Sequence, residues 1–333
     1  MAGRSEGRPA TIFDVAAAAA VSQATVSRVV NGKSTVDPAI AQRVLDVVAE
    51  LGYRPSATAR NLARGSTQTV AVVVPDLANP MFQEVLRGVT HAAAAAGYRV
   101  LVADTEESVD GEPSIALEAR RRCDAVVLCA PRMPAEELLE LLPLLSPVVL
   151  VNRSIDGVAE VAADYESAAA DAVAHLAGLG HARIAYLAGP PSSQSNRRRL
   201  RGIRRAGDDA ALDVTVLECG PGLGDGSRAA ERVVAAGVTA VVAFNDLVAF
   251  GLLARLRELG VDVPGALSVV GFDDIAFAGF ATPPLTTLAV PGPLLGARAW
   301  DALFVEISGG DPQPAAVVRP TLVVRSSTGP VAR

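Results

Sequence analysis

Along residues 11–51 the apolar positions recur with helical spacing. Ile12, Val15 and Ala16 follow an i, i+3, i+4 rule, and Val26, Val29 and Val30 fall on one side of a second short helix. Ala24, Ser27 and Arg28 point the opposite way, with Gln23 and Thr25 on the flanks. Thr11 and Ser22 stand where capping hydroxyls are wanted. Asn31-Gly32 breaks the second helix. Asp37-Pro38 starts a third, about Pro38 to Leu51, which sets Ile40, Val44, Val47, Val48 and Leu51 on one side. Two helices joined by a tight turn, followed by a third, predict a helix-turn-helix head.

From Thr69 the period changes. Apolar runs of strand length alternate with helix-length segments: TVAVVVP, YRVLVAD, DAVVLCAP, PVVLVNR, ARIAYLAG, TAVVAFND and LSVVGFDD. Such alternation predicts parallel sheets of βαβ units, and this many strands over about 260 residues predict two doubly wound lobes. Ligands in open sheets of this kind sit beyond the C-terminal strand ends. The polar residues closing the runs there are Asp76, Arg153, Asp246 and Asp273.

Charge separates the two regions further. The chain carries −6 overall, yet residues 1–65 hold eight basic against five acidic residues, a net of +3, which leaves −9 on the remainder. A basic head on an acidic body predicts that only the head meets a polyanion. No run of about 18 apolar residues predicts a membrane span, and residues 1–10 lack the apolar centre of an export signal. Three cysteines, Cys123, Cys129 and Cys219, with no C-x-x-C spacing fit a reduced, cytoplasmic protein.

Catalytic motifs are missing. The cluster GPGLGDG (Gly220 to Gly226) does not satisfy G-x-G-x-x-G, and no phosphate-binding G-x-x-x-x-G-K-[ST] loop occurs. The one G-x-S-x-G, Gly3 to Gly7, follows no strand-like apolar run and so predicts no nucleophile elbow. His175 and His181 flank a Gly-Leu-Gly turn and are expected to serve a helix end or the core. No metal site, cofactor or catalytic residue is expected.

The stretches TIFDVAAAAAVSQATVSRVVNG and LGYRPSATARNL closely resemble the lactose-repressor (LacI/GalR) family of bacterial transcription regulators. They match the family pattern T-I-x-D-V-A-x-x-A-G-V-S-x-x-T-V-S-R-V-L-N at nearly every position. The resemblance implies a second helix in the major groove, with base readout by Gln23, Ala24 and Arg28 and phosphate contacts by Thr11, Thr25, Ser27 and Asn31. Arginine pairs with guanine O6/N7 and glutamine with adenine N6/N7, whereas Ala24 offers only a methyl. It also implies a hinge helix that places Ala59, Arg60 and Leu62 at the minor groove, with Leu62 as the wedge. One departure stands out: the family usually has glycine where this chain has Ala20. If that position needs a positive φ, alanine costs roughly 1 kcal/mol.

The body resembles the family's sensor, an α/β two-lobed, type I periplasmic-binding-protein-like domain, through DLANPMFQEVLRGV, VNR, RRRLRGI, AFNDLVAFGLL, LSVVGFDD and PPLTTL. The expected organisation is a three-helix head at 9–54, hinge helix and linker at 55–66, and an effector-binding, dimerising domain at 67–333. Its N-lobe is expected at about 67–161 and 292–323, and its C-lobe at about 162–291 and 324–333. The resemblance maps effector contacts onto Asp76, Asn79, Phe82, Arg153, Arg199 and Asp246. Arg199 and Asp246 would offer a donor and an acceptor to vicinal hydroxyls, and Phe82 a flat face. Ser193 and Gly222 replace groups that read and stack a base in purine-responsive relatives, so a sugar or sugar-like polyol is expected rather than a nucleobase. The resemblance implies a repressor that binds a near-palindromic double-stranded operator as a homodimer. An effector in the body would order or disorder the hinge. The alternative, a solute-binding protein without a regulatory role, predicts an export signal and no head.

Overall fold

Helix α1 (Ile12–Ala18) begins where Asp14 Oδ2 accepts from the Thr11 backbone N–H at 2.8 Å and from the Thr11 hydroxyl at 2.7 Å. The computed structural model describes residues 10–30, 35–53 and 66–331, and the chain divides into two units, Met1–Thr67 and Gln68–Arg333. In the first unit α2 (Gln23–Val30) starts at Ser22, whose hydroxyl accepts from Thr25 N at 3.1 Å. Helix α3 (Pro38–Leu51) starts at Asp37, whose carboxylate accepts from Ala39 N and Ile40 N, and it ends at Gly52 with φ 61°. Val15, Ala16, Ala19, Val26, Val29 and Val44 form the buried centre. Leu51, on the apolar side by periodicity, ends α3 exposed.

The turn between α1 and α2 passes through the left-handed region at Ala20, φ 52°. Val21 N donates to Ala16 O at 3.0 Å across it, and Arg43 Nε from α3 donates to Ala19 O at 3.1 Å. The conformation that glycine adopts without strain is therefore imposed on an alanine by bonds on both sides.

The second unit holds two six-stranded sheets. The N-lobe sheet contains β1 (Thr69–Val74), β2 (Arg99–Asp104), β3 (Ala125–Cys129), β4 (Val148–Val151), β5 (Glu160–Ala163) and β11 (Ala316–Val318), in the order β11-β5-β4-β3-β1-β2. The C-lobe sheet contains β6 (Arg183–Ala188), β7 (Asp213–Glu218), β8 (Ala240–Ala243), β9 (Ser268–Asp273), β10 (Thr286–Ala289) and β12 (Thr321–Val323), in the order β12-β10-β9-β8-β6-β7. All pairings are parallel except β10 with β12. Central strands such as AVVLC are buried at every position because parallel sheets are covered on both faces.

Helices α4 (Pro80–Ala95), α5 (Glu112–Arg122), α6 (Ala135–Leu145) and α11 (Gly292–Ile307) belong to the N-lobe; α7 (Tyr165–Gly178), α8 (Gln194–Asp209), α9 (Leu223–Ala235) and α10 (Asp246–Glu258) belong to the C-lobe. The chain crosses between lobes three times. Residues 162 and 163 still belong to β5 in the N-lobe, and β12 pairs with β10 in the C-lobe. The third crossing therefore falls between Val318 and Thr321, ahead of the boundary after residue 323 expected from sequence. A three-residue strand that pairs only at a sheet edge leaves no periodic signal to place it. At Gly202 an added Cβ would run into the Glu166 carbonyl, so glycine lets α8 lie close against α7.

Candidate functional sites

In the head, α2 buries Val26 and Val29 and exposes Gln23, Ala24 and Arg28. The three residues assigned to base readout thus lie on the accessible face of the helix. Thr25 and Ser27 are half-buried on its flanks, and the Thr25 hydroxyl is 2.9 Å from that of Ser22. The Thr11 hydroxyl is committed to Asp14. Asn31, Ala59, Arg60 and Leu62 lie outside the described residues, as does the expected hinge segment apart from Ser66.

In the body, the C-terminal ends of both sheets face one cleft with empty space of about 340 Å³. Its walls include Asn79, Phe82 and Arg199. Asn79 caps α4, accepting from Met81 N at 3.0 Å, and Phe82 lies one turn on. Arg199 is buried, with its guanidinium carbon 4.3, 4.7 and 4.1 Å from the ring centroids of Tyr165, Phe244 and Phe272. Its Nη2 reaches Asp273 Oδ1 at only 3.4 Å, and its Nε has no partner. A cation enclosed by rings and so loosely paired has bonding capacity left for a ligand.

Three expected contacts are placed elsewhere. Asp246 opens α10 but turns into the C-lobe body, accepting from the Thr287 hydroxyl at 2.6 Å and Ile275 N at 2.9 Å. Gly271, having no Cβ, leaves room for it. The preceding residue, Asn245, lines the cleft instead, because consecutive residues leaving β8 face opposite ways. The carboxylate facing Arg199 is Asp273, at the end of β9. Burial pushes the Asp273 carboxyl up to about 7, with Arg199 pulling the other way. Burial also raises Asp246, and Asp273 nearby adds to the rise.

Arg153 is buried behind the wall, donating to the Met133 carbonyl at 3.1 Å. Desolvation lowers its pKa, with Arg197 adding to the effect. Asp76 turns back on its own loop to accept from Ala78 N at 2.7 Å. Neither lines the cleft. Gly222 N-caps α9, and its neighbour Pro221 takes the place on the wall. Glu107, Arg132, Ser195, Phe244 and Asn245 also line it and were missed from sequence. The signal was present, since each lies within a few residues of a strand end or opens the helix that follows one.

A polar clasp joins the lobes beside the cleft. Arg198 on α8 meets Glu160 of β5 at 3.0 Å, Ser154 N donates to Gln194 Oε1 at 2.7 Å, and the Ser154 hydroxyl donates to Glu160 at 2.6 Å. His175 and His181 serve structure. His175 bonds Thr328, and His181 bonds Thr239, Ser268 and the Gly329 carbonyl, which fastens the C-terminal segment to the C-lobe. Among the described residues no helix is long and apolar enough to cross a membrane, and no group of His, Cys, Asp and Glu is disposed to hold a metal.

Residues 11–56 match the model of bacterial regulatory proteins of the lacI family, and residues 173–328 match a periplasmic binding protein-like domain. The HTH-type transcriptional regulator GalR of Escherichia coli (strain K12) is 35% identical over 327 residues, covering 96% of this chain and 95% of that protein. The lac repressor dimer bound to operator and the anti-inducer ONPF superposes with a TM-score of 0.86 at 27% identity, covering 97% of this chain and 100% of that one. The complex of the transcriptional regulator CelR with cellobiose gives 0.72 at 29% identity, over 96% and 99% of the two chains.

Proposed function

From the premise that the chain belongs to the lacI family of bacterial regulatory proteins, we propose that it is a repressor that binds its operator as a homodimer and releases or holds it according to a sugar in the interlobe cleft. It is a DNA-binding transcriptional regulator and not an enzyme. The observation carrying the DNA role is the exposed face of α2, where Gln23, Ala24 and Arg28 stand clear of a valine-packed underside. Thr11, Thr25, Ser27 and Asn31 are the proposed phosphate contacts, and Ala59, Arg60 and Leu62 the proposed minor-groove contacts. A gel shift with the full chain and with a chain lacking residues 1–66 tests this role, and retained operator binding without the head would refute it.

The sugar reading rests on Arg199 and Asp273, a donor and an acceptor set among aromatic rings in the interlobe cleft. Hydroxyls can accept from Arg199 and donate to Asp273 while a sugar face lies on Phe82. The CelR relative holds cellobiose, which fits the same chemistry. Calorimetric titration with sugars and nucleobases decides it, and binding of nucleobases alone would sink it. Dimerisation is drawn from the lac repressor dimer and from the apolar groove of Phe250, Leu253, Phe277 and Phe280 on the C-lobe. Phe277 is 63% exposed and Phe280 87%, a cost in water that a second copy removes. A cytoplasmic location follows from the same role.

A further inference from the structure

The N-lobe wall of the cleft carries a second charged pair, facing the same cavity as Arg199 and Asp273. Arg132 donates from Nε to Glu107 Oε2 at 2.7 Å and from Nη2 to Oε1 at 2.9 Å, and its Nη1 donates to the Ala130 carbonyl at 3.0 Å. Both residues line the cavity, and Arg132 is only 4% exposed. Their backbones are fixed from behind. The buried Glu112 carboxylate accepts from Arg132 N and Met133 N at 2.7 Å each. Glu107 N donates to the Pro75 carbonyl at 2.6 Å, and Glu107 itself sits at φ 56°. The pair is built into the wall by its surroundings.

A guanidinium carries five N–H donors. Nε and one hydrogen on each Nη are engaged here, so each Nη keeps a second hydrogen. The Glu107 oxygens keep unused lone pairs. A hydroxyl beside this pair can accept from Arg132 and donate to Glu107, and two neighbouring hydroxyls can do so together. An anion gains little, because Glu107 already neutralises Arg132 and would stand close to the incoming charge. An apolar substituent would leave both charged groups without the partners they lose from water.

We propose that Glu107 and Arg132 determine the specificity of the cleft, and that the effector is an uncharged polyol with unsubstituted hydroxyls at both ends. One end meets Arg199 and Asp273, and the other meets Arg132 and Glu107. The inference rests on the reading of the cleft as the effector site. It excludes sugar phosphates, sugar acids and glycosides with an apolar aglycone from the preferred ligands.

The test is calorimetry on the full chain with free aldohexoses and aldopentoses, their phenyl glycosides, their phosphate esters and the corresponding uronic acids. A free sugar should bind about tenfold or more tightly than its own derivatives. In Glu107→Gln the Arg132 charge is uncompensated, so the affinity for the acid or phosphate relative to the free sugar should rise about tenfold. A purely structural role for Glu107 would weaken every ligand alike. Thermal unfolding monitors the fold of the variant, and the wild-type series decides the question without it. A derivative bound as tightly as the free sugar, or an unchanged ratio in folded Glu107→Gln, overturns the proposal and leaves the cleft as the effector site. Failure of every sugar and derivative to bind overturns both.

Discussion

Arg198 on α8 of the C-lobe and Glu160 on β5 of the N-lobe form an ion pair at 3.0 Å, with side chains 17% and 10% exposed. One residue further along the same helix, Arg199 lines the interlobe cleft. The helix that carries Arg199 to the cleft therefore also carries an ion pair between the lobes, and on the proposed function lobe arrangement and ligand occupancy would be mechanically joined.

Breaking this clasp should make lobe closure harder. Arg198→Ala is expected to cost roughly 1–2 kcal/mol of closure, more than a surface pair and less than a fully buried one. Sugar binding would then weaken by about fivefold to thirtyfold. Calorimetry on Arg198→Ala, Glu160→Gln and the double variant checks it, and strictly additive losses would show that the two residues act separately.

Asp273 and Asp246 separate under mutation. Asp273→Asn should lower sugar affinity by about tenfold or more, since a carboxylate acceptor for hydroxyls is lost. Asp246→Asn should leave that affinity within about twofold. It should lower stability by about 1–3 kcal/mol, because an amide hydrogen would then face Thr287 or Ile275 N. Titration and thermal melts on both variants distinguish the proposed ligand contact, Asp273, from Asp246 within the C-lobe.

The raised Asp273 pKa of about 7 fixes the sign of its pH effect. The folded chain holds this proton more tightly than the unfolded chain does. The corresponding stability is complete below the ordinary carboxylate range and is lost as pH rises through about 7. Melting curves from about pH 4 to 8 should show wild type losing stability relative to Asp273→Asn up to about pH 7 and little further change above it. Sugar affinity should rise as pH rises to about 7 and level off above it, because hydroxyl donors favour the ionised carboxylate.

Ala20→Gly should stabilise the head by roughly 0.5–1 kcal/mol, since φ 52° costs glycine little. Operator binding should persist. A lower melting temperature would show that the added freedom of the unfolded chain outweighs the relieved strain.

Arg28→Ala should remove discrimination between operator and random DNA, because guanine-type pairing is lost, while salt-dependent binding to random DNA stays nearly unchanged. Fluorescence anisotropy on both DNAs over a salt series checks this, and equal losses on the two would place Arg28 on the phosphates.

The sequence by itself determined the architecture. Helical spacing around Val15, Val26 and Val44 marks the head, and six buried apolar runs mark central strands while YRVLVAD marks the edge strand β2, because water exclusion imposes a period on the residues themselves. It left β5, β7, β10, β11 and β12 unread. These are short or lie on partly exposed edges, as the half-buried DVTVLE of β7 shows. Site chemistry was legible only in part. Asn79, Phe82 and Arg199 were identifiable by resemblance, yet Asp246 and Asp273 are equally acidic residues at equally plausible strand ends. Only the tertiary structure decides between them. The side chain leaving β8 at Asp246 meets Thr287 and the gap at Gly271, whereas the one ending β9 meets Arg199. The same holds for Glu107 and Arg132, which lie 25 residues apart and become a pair because the loops following β2 and β3, the two neighbours of β1, converge at one end of the sheet.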